Sequence, residues 1–270
     1  MLDGSIQGYY PTIVSLQEQI ATPEGKRRYV RSLFATIADR YDFITVLLSY
    51  GQDGRWKRRL IALAAPVPGT RALDLATGTG DIAFAAAARG AHVVGLDITY
   101  RMVELAKAKA ARPFQGRDRA AESPARRGAQ FLVGDILALP FASGSFDLVT
   151  TGYGLRNVPN LRAAIAEIRR VLVPGGQVVS LDFDRPLNPA VRAVYLAYLT
   201  LVGAALGWIL HRDPDTYRYI PASIRQYPGA EAVAKMFTES GFSGARAYPV
   251  LGGLMAIHQA TSGADEKVRT

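Results

Sequence analysis

The segment Asp74-Leu-Ala-Thr-Gly78-Thr-Gly80-Asp81 is the first place in this 270-residue chain where residue types suggest chemistry. Glycines at the carboxyl end of a strand let backbone approach a ligand, and the helix start that follows offers free N–H groups. Read as Gly78-x-Gly80-x-x-Ala83, the loop fits the dinucleotide fingerprint, a spacing that a plain strand-to-helix turn also satisfies. Its acids point elsewhere. A diphosphate resting here would face Asp81 in the first turn and Asp74 before the loop, whereas two carboxylates suit a ligand with a cationic end. S-adenosylmethionine has such an end, an α-amino group near a sulfonium, and its own carboxylate suits the loop N–H groups.

Asp97 lies twenty-three residues beyond Asp74, at the end of the apolar run His92-Val-Val-Gly-Leu-Asp97. A carboxylate there can accept hydrogen bonds from both hydroxyls of a ribose. Asp135 ends the next run in Gly-Asp-Ile, placed to accept from an adenine amino group with Ile136 against the ring, although a turn or helix cap would use the same residue. Three acids expected at strand ends, behind one glycine loop, outline an adenosine site.

The elements that must position these residues follow from periodicity. Short apolar runs at 71–76, 92–97, 130–135, 146–151 and 177–182 read as buried strands, and helical patterns at 82–89, 101–111 and 161–172 separate most of them. Strand-helix alternation of this kind predicts an α/β fold with a parallel sheet and right-handed crossovers. Two or three amphipathic helices are expected between 26 and 65, one more at 230–240, and closing strands near 245–250 and 254–260. Residues 1–22 read as a loose arm, 23–265 as a single domain, and 112–128 as a surface loop. Ala193–Leu210 is eighteen residues without a charge, inside a helical insert at about 186–228. It could be a membrane span, a buried helix pair, or a cap over an apolar site.

Composition narrows the class. Apolar residues at 49% allow a sizeable core, and the absence of cysteine excludes disulfides, thiol nucleophiles and cysteine metal sites. The net charge of +9 favours an anionic surface as partner, nucleic acid or membrane headgroups. The clusters Lys26-Arg27-Arg28 and Arg55-Trp-Lys-Arg-Arg59 fit headgroups or plain solvated faces. The opening residues lack a secretory pattern, so a cytoplasmic location is expected. None of the three histidines is spaced with carboxylates as a metal site, so no metal is expected.

LDLATGTGD (73–81), VVGLDIT (93–99), GDILALPF (134–141), TTGYGLRNVPN (150–160) and LVPGGQVV (172–179) together resemble the methyltransferases that C-methylate ubiquinone and menaquinone precursors. GLRN is the sharpest of these, and the likeness extends over roughly 26–260. It implies a class I Rossmann-like sheet, mostly parallel with an antiparallel last strand, helices on both faces, N-terminal helices and a helical cap. It implies S-adenosyl-L-methionine held by Asp74, Gly78, Thr79, Gly80, Asp97, Ile98, Asp135, Ile136 and Gly152, the last standing where some members carry serine. Arg156 and Asn157 become candidate catalytic residues, with Tyr41 and Asp42 in a substrate lid. The implied acceptor is a polyprenyl hydroquinone, with peripheral membrane contact and self-association open and nucleic acid not expected as a partner.

Methyl transfer to carbon needs a ring made nucleophilic by loss of a hydroxyl proton. The guanidinium of Arg156 could steady the resulting phenolate, with water carrying the proton because arginine is a poor base. Three other classes compete: a nucleic-acid methyltransferase, a dinucleotide oxidoreductase, and a non-enzymatic prenyl carrier.

Overall fold

The computed structural model describes residues 16–49, 51–111, 128–214 and 216–263. Its strands are β1 (Arg71–Leu75), β2 (His92–Asp97), β3 (Ala129–Val133), β4 (Phe146–Gly152), β5 (Leu172–Phe183), β6 (Phe242–Val250) and β7 (Met255–Ser262). They form one sheet in the order β3-β2-β1-β4-β5-β7-β6, parallel from β3 to β5, with β7 antiparallel to both its neighbours. The chain steps from β1 outward through β2 to β3, then returns to place β4 on the other side of β1. A crevice therefore opens above the carboxyl ends of β1 and β4, where ligands settle in sheets of this kind.

Helices α1 (Leu16–Gln19), α2 (Pro23–Ile37), α3 (Tyr41–Leu48) and α4 (Asp53–Ala64) precede the sheet. Helices α5 (Asp81–Ala87), α6 (Tyr100–Ala111) and α7 (Leu161–Val171) are interleaved with it, and α8 (Pro189–His211), α9 (Tyr219–Gln226) and α10 (Ala230–Glu239) follow β5. Leu73 and Leu75 of β1 point to one core with α7 and α10, while Ala72 and Val93 point to the other with α4 and α5. Burial on both faces is why the interiors of β1 and β4 lack the apolar–polar alternation of a half-exposed strand, their buried polar members Asp74, Thr150 and Thr151 sitting toward the carboxyl ends.

Three expectations need correction. Residues 16–22 are not a loose arm: α1 forms a turn, Ile20 is buried against Val30 and Tyr219, and Thr22 caps α2 by accepting from the Gly25 N–H at 3.1 Å. Positions 1–15 of the arm and 112–127 of the surface loop lie outside the described residues. Asp135 does not end a strand, because β3 stops at Val133 and Asp135 sits in the loop beyond it. The uncharged run is one long helix rather than a pair. One side of α8 packs on α9 through Leu196, Leu199 and Ile224, and its Gly203 and Gly207 lie against Tyr217 and Pro214. The other side leaves Val194, Leu201 and Trp208 exposed at 72%, 72% and 67%. It is long and apolar enough to cross a membrane by length and composition alone.

Candidate functional site

β1 runs into a loop whose backbone only glycine accommodates easily. Gly80 has φ +93°, and a Cβ there would lie 2.8 Å from Phe84 Cε2 and 3.0 Å from Phe131 Cζ. Asp74 ties the loop to the sheet, since its carboxylate accepts from Thr77 Oγ1 at 2.6 Å and from Thr150 Oγ1 at 2.7 Å. Burial pushes its carboxyl up to about 6. Asp74 therefore shapes the loop from behind and is not among the residues lining the cleft.

That cleft, of about 690 Å³, opens beside the loop and above β2 and β4. Of the residues singled out from sequence, Gly78, Asp97, Ile98, Asp135, Ile136, Gly152, Asn157 and Tyr41 line it together. Asp97 is its best-built acid: the Gly78 N–H donates to Oδ2 at 2.9 Å and the Thr99 N–H to Oδ1 at 2.8 Å. Burial raises its carboxyl above the ordinary value. Each oxygen has a second lone pair, so the carboxylate can still accept. Beside it, Thr99 Oγ1 is buried with no partner, and Ile98, Met102 and Ile136 supply apolar wall. A paired acid next to an orphaned hydroxyl and flat apolar walls fits the ribose and adenine of S-adenosylmethionine. Asp135 sits at the rim, its Oδ1 accepting from the Leu137 N–H at 2.9 Å and its Oδ2 facing Arg27 Nε at 3.3 Å.

Thr79, Gly80 and Asp42 are not lining residues. The Thr79 hydroxyl turns away to donate to Asp42 Oδ1 at 2.6 Å, and Lys109 Nζ reaches both Asp42 at 2.6 Å and Asp81 at 3.3 Å. Lys57 Nζ lies 2.9 Å from Asp81 and 2.6 Å from Asp53. Burial alone would raise Asp81, yet Lys57 and Lys109 outweigh it and hold the carboxyl below its usual value. Asp81 is thus charge-matched, and the acids here do not exclude a diphosphate by repulsion as expected from sequence.

Arg156 is anchored by the protein itself. It is buried, its backbone N–H donates to Asp182 Oδ2 at 2.9 Å and its Nε to Oδ1 at 3.1 Å, and Nη1 donates to Ser223 Oγ. The guanidinium lies over the Phe183 ring, 5.0 Å from the centroid. Two of the five N–H donors of its guanidinium are thus committed inside the protein, and the residue also lines the second cavity described below. Asn157 next to it donates through Nδ2 to the Tyr153 carbonyl at 2.7 Å, while its Oδ1 is buried without a partner. Lys26 closes the same turn by donating to the carbonyls of Arg156 and Val158, at 3.1 and 3.0 Å. Burial and the neighbouring Arg156 lower its ammonium to about 8. Lys26 therefore holds the turn after β4, and Arg27 faces Asp135 at the rim of the cleft. The spacing Lys26, Val30, Phe34, Ile37 marks one inward helical stripe and could have shown this.

A second cavity of about 680 Å³ adjoins the first, and both are lined by Phe34, Tyr41 and Tyr153. Its wall is largely apolar, from Ile37, Ile44, Trp56 and Phe183, with Arg156 at one place. A third opening of about 1120 Å³ shares Leu48, Trp56 and Phe183 with the second and reaches Val191 and Val194 on α8. Tyr153, unremarked in the sequence, is thus at the boundary between a polar-rimmed cleft and an apolar one.

Residues 22–262 match the ubiE/COQ5 methyltransferase family. The chain is 41% identical over 229 residues to a demethylmenaquinone methyltransferase of Thermus thermophilus, covering 84% of this chain and 98% of that one. It is 36% identical to a ubiquinone/menaquinone biosynthesis C-methyltransferase of Cereibacter sphaeroides, over 87% and 92% of the two chains. Among solved structures, a SAM-dependent methyltransferase of Thermotoga maritima described as a possible histamine N-methyltransferase superposes with TM-score 0.58 at 17% identity, covering 86% and 99%. A phosphoethanolamine N-methyltransferase of Haemonchus contortus, solved with S-adenosyl-L-methionine, has TM-score 0.54 at 15% identity, covering 77% and 53%. These two structures share the fold, and the sequence match carries the family: the chain belongs to the ubiE/COQ5 methyltransferase family.

Proposed function

We propose that this protein transfers a methyl group from S-adenosylmethionine to a ring carbon of a polyprenyl hydroquinone, with demethylmenaquinol as the principal acceptor and a benzoquinol of the ubiquinone type as a second. The observation that carries this reading is the pair of adjoining cavities sharing Phe34, Tyr41 and Tyr153, one rimmed by Asp97 and the other apolar. Asp97 would hold the ribose, Ile98 and Ile136 the adenine, and the unpartnered Asn157 Oδ1 is free to accept from a donor in the first cleft. Bound there, the cofactor supplies an electrophilic methyl group on sulfur.

The chain's own task is alignment and exclusion of water. The aromatic boundary keeps the acceptor ring dry and next to the cofactor cleft. Arg156 steadies this wall and adds positive potential, much of it offset by Asp182. The tail follows the third opening toward Val191 and Val194, so the apolar outer side of α8 lies against the membrane surface that stores such substrates. Family membership, not the acids of the loop, favours a methyl donor over a dinucleotide. The test is to extract quinones from a host lacking the activity, with and without this protein. Restored methylated menaquinone or ubiquinone is the expected result, and restoration of neither defeats the reading.

A further inference from the structure

We propose that Tyr153 and Asp53 form a proton relay that removes the acceptor's hydroxyl proton, Tyr153 touching the substrate and Asp53 receiving the proton through it. This rests on the quinol-methylation reading above. Such a reaction needs a proton acceptor at the boundary of the two cavities, and the more obvious groups are committed elsewhere. Arg156 is a donor already bonded to Asp182 and Ser223. His258 is buried against Ser180 and the Ala230 carbonyl and lines none of these cavities. Asp182 is bound by Arg156.

Tyr153 lines both cavities. Its backbone has φ +62°, a left-handed conformation that a tyrosine adopts at a cost, and its N–H is anchored on the Leu181 carbonyl at 2.7 Å. That conformation fixes the ring between Phe183, 5.6 Å away by centroid, and the cavity boundary. The Tyr153 hydroxyl donates to Asp53 Oδ1 at 2.7 Å, and Lys57 Nζ faces Asp53 Oδ2 at 2.6 Å. A phenol has a single proton. With that proton directed at Asp53, the oxygen can offer a substrate only its lone pairs, so it accepts. Burial, and then the charge of Asp53, hold the Tyr153 phenol well above its ordinary value. It therefore gives up its proton only as it gains another.

In the step, the proton of the acceptor hydroxyl passes to Tyr153 Oη while the tyrosine's own proton passes to Asp53 Oδ1. The O–H electron pair stays on the acceptor and reaches the adjacent ring carbon. That carbon bonds the methyl group as the methyl–sulfur bond breaks, its electron pair remaining on sulfur. The ring C–H proton then leaves to solvent, and the relay returns its proton to the ring oxygen. One proton is released per turnover.

The experiment uses the full-length protein, demethylmenaquinol and S-adenosylmethionine, comparing wild type with Tyr153→Phe and Asp53→Asn. Loss of a positioned acid–base group costs about 10²- to 10⁴-fold in rate. The relay predicts that fall in kcat for both variants, with affinity for S-adenosylmethionine by titration unchanged within about threefold. It also predicts that acceptors with a more acidic hydroxyl recover rate in Asp53→Asn more than in wild type, a response that a merely structural role would not produce. Turnover by wild type with both variants keeping its kcat, or with the loss confined to KM or cofactor affinity, overturns the relay alone. If Tyr153→Phe does not fold, the Asp53→Asn response to acceptor acidity decides. A wild type that methylates no quinol overturns the functional reading and the relay with it.

Discussion

Arg156 and Asp182 are joined by two hydrogen bonds, from the arginine backbone N–H at 2.9 Å and from its Nε at 3.1 Å, both on a carboxylate that is almost fully buried. This pair fastens the turn after β4 to the end of β5, next to the second cavity.

Removing one member leaves the other charge buried and unmatched. Arg156→Ala should lower the unfolding free energy by about 3–5 kcal/mol in urea titration, in addition to any loss of turnover. A variant as stable as wild type would mean that Asp182 finds another partner and that Arg156 contributes little to the turn.

Asp97→Asn tests the cofactor cleft. The amide keeps the shape but presents an NH₂ group to the N–H of Gly78 or Thr99, and it gives up the charge that strengthens hydrogen bonds to hydroxyl groups. Affinity for S-adenosylmethionine should fall by about 1–3 kcal/mol, roughly 5- to 150-fold, in calorimetric titration. Unchanged affinity would remove Asp97 from the site.

The sheet and Asp97 were readable in the sequence for the same reason. A parallel strand buried on both faces is a continuous apolar run, and its last residue has only one place to go, the ligand edge. Asp74 and Thr79 are less legible, because spacing places a residue at a strand end or on a loop without saying which way its side chain turns. Asp74 turns toward Thr77 in its own loop and Thr150 on β4, and Thr79 toward Lys109 on α6; the two distant partners are ones that no local pattern reveals. Lys26 was readable, in register with Val30 and Phe34, but its neighbours Arg27 and Arg28 made the three look like one charged face. Tyr153 gave no signal, because its partner Asp53 is a hundred residues away.

Asp74 also predicts a pH effect. Its folded value of about 6 lies above the ordinary 3.8, so the folded state holds the proton more tightly than the unfolded chain. Its contribution is fully present below about pH 4 and is lost as pH rises through about 6, a swing of about 3 kcal/mol. Asp74→Asn, which stays neutral, should therefore gain in Tm relative to wild type between pH 4 and 6, with a constant difference above that window. A difference that does not vary with pH would place the carboxyl near its ordinary value.

The tail path predicts a split between substrates. Val194→Glu puts a charge on the apolar outer side of α8 beside the third opening. KM should rise about tenfold or more for a long-tailed quinol and stay within about twofold for a short-chain analogue, at unchanged stability. Equal effects on both would detach α8 from the tail.

Transfer of a labelled methyl group is the most direct test of the two-cavity account. Purified protein is incubated with S-adenosylmethionine carrying a ¹³C methyl group and reduced demethylmenaquinone, and the product is read by NMR. The account predicts the label on a ring carbon, at a rate that falls in Asp97→Asn. Label on a ring oxygen, or none on the quinol while the protein binds the methyl donor, would contradict it.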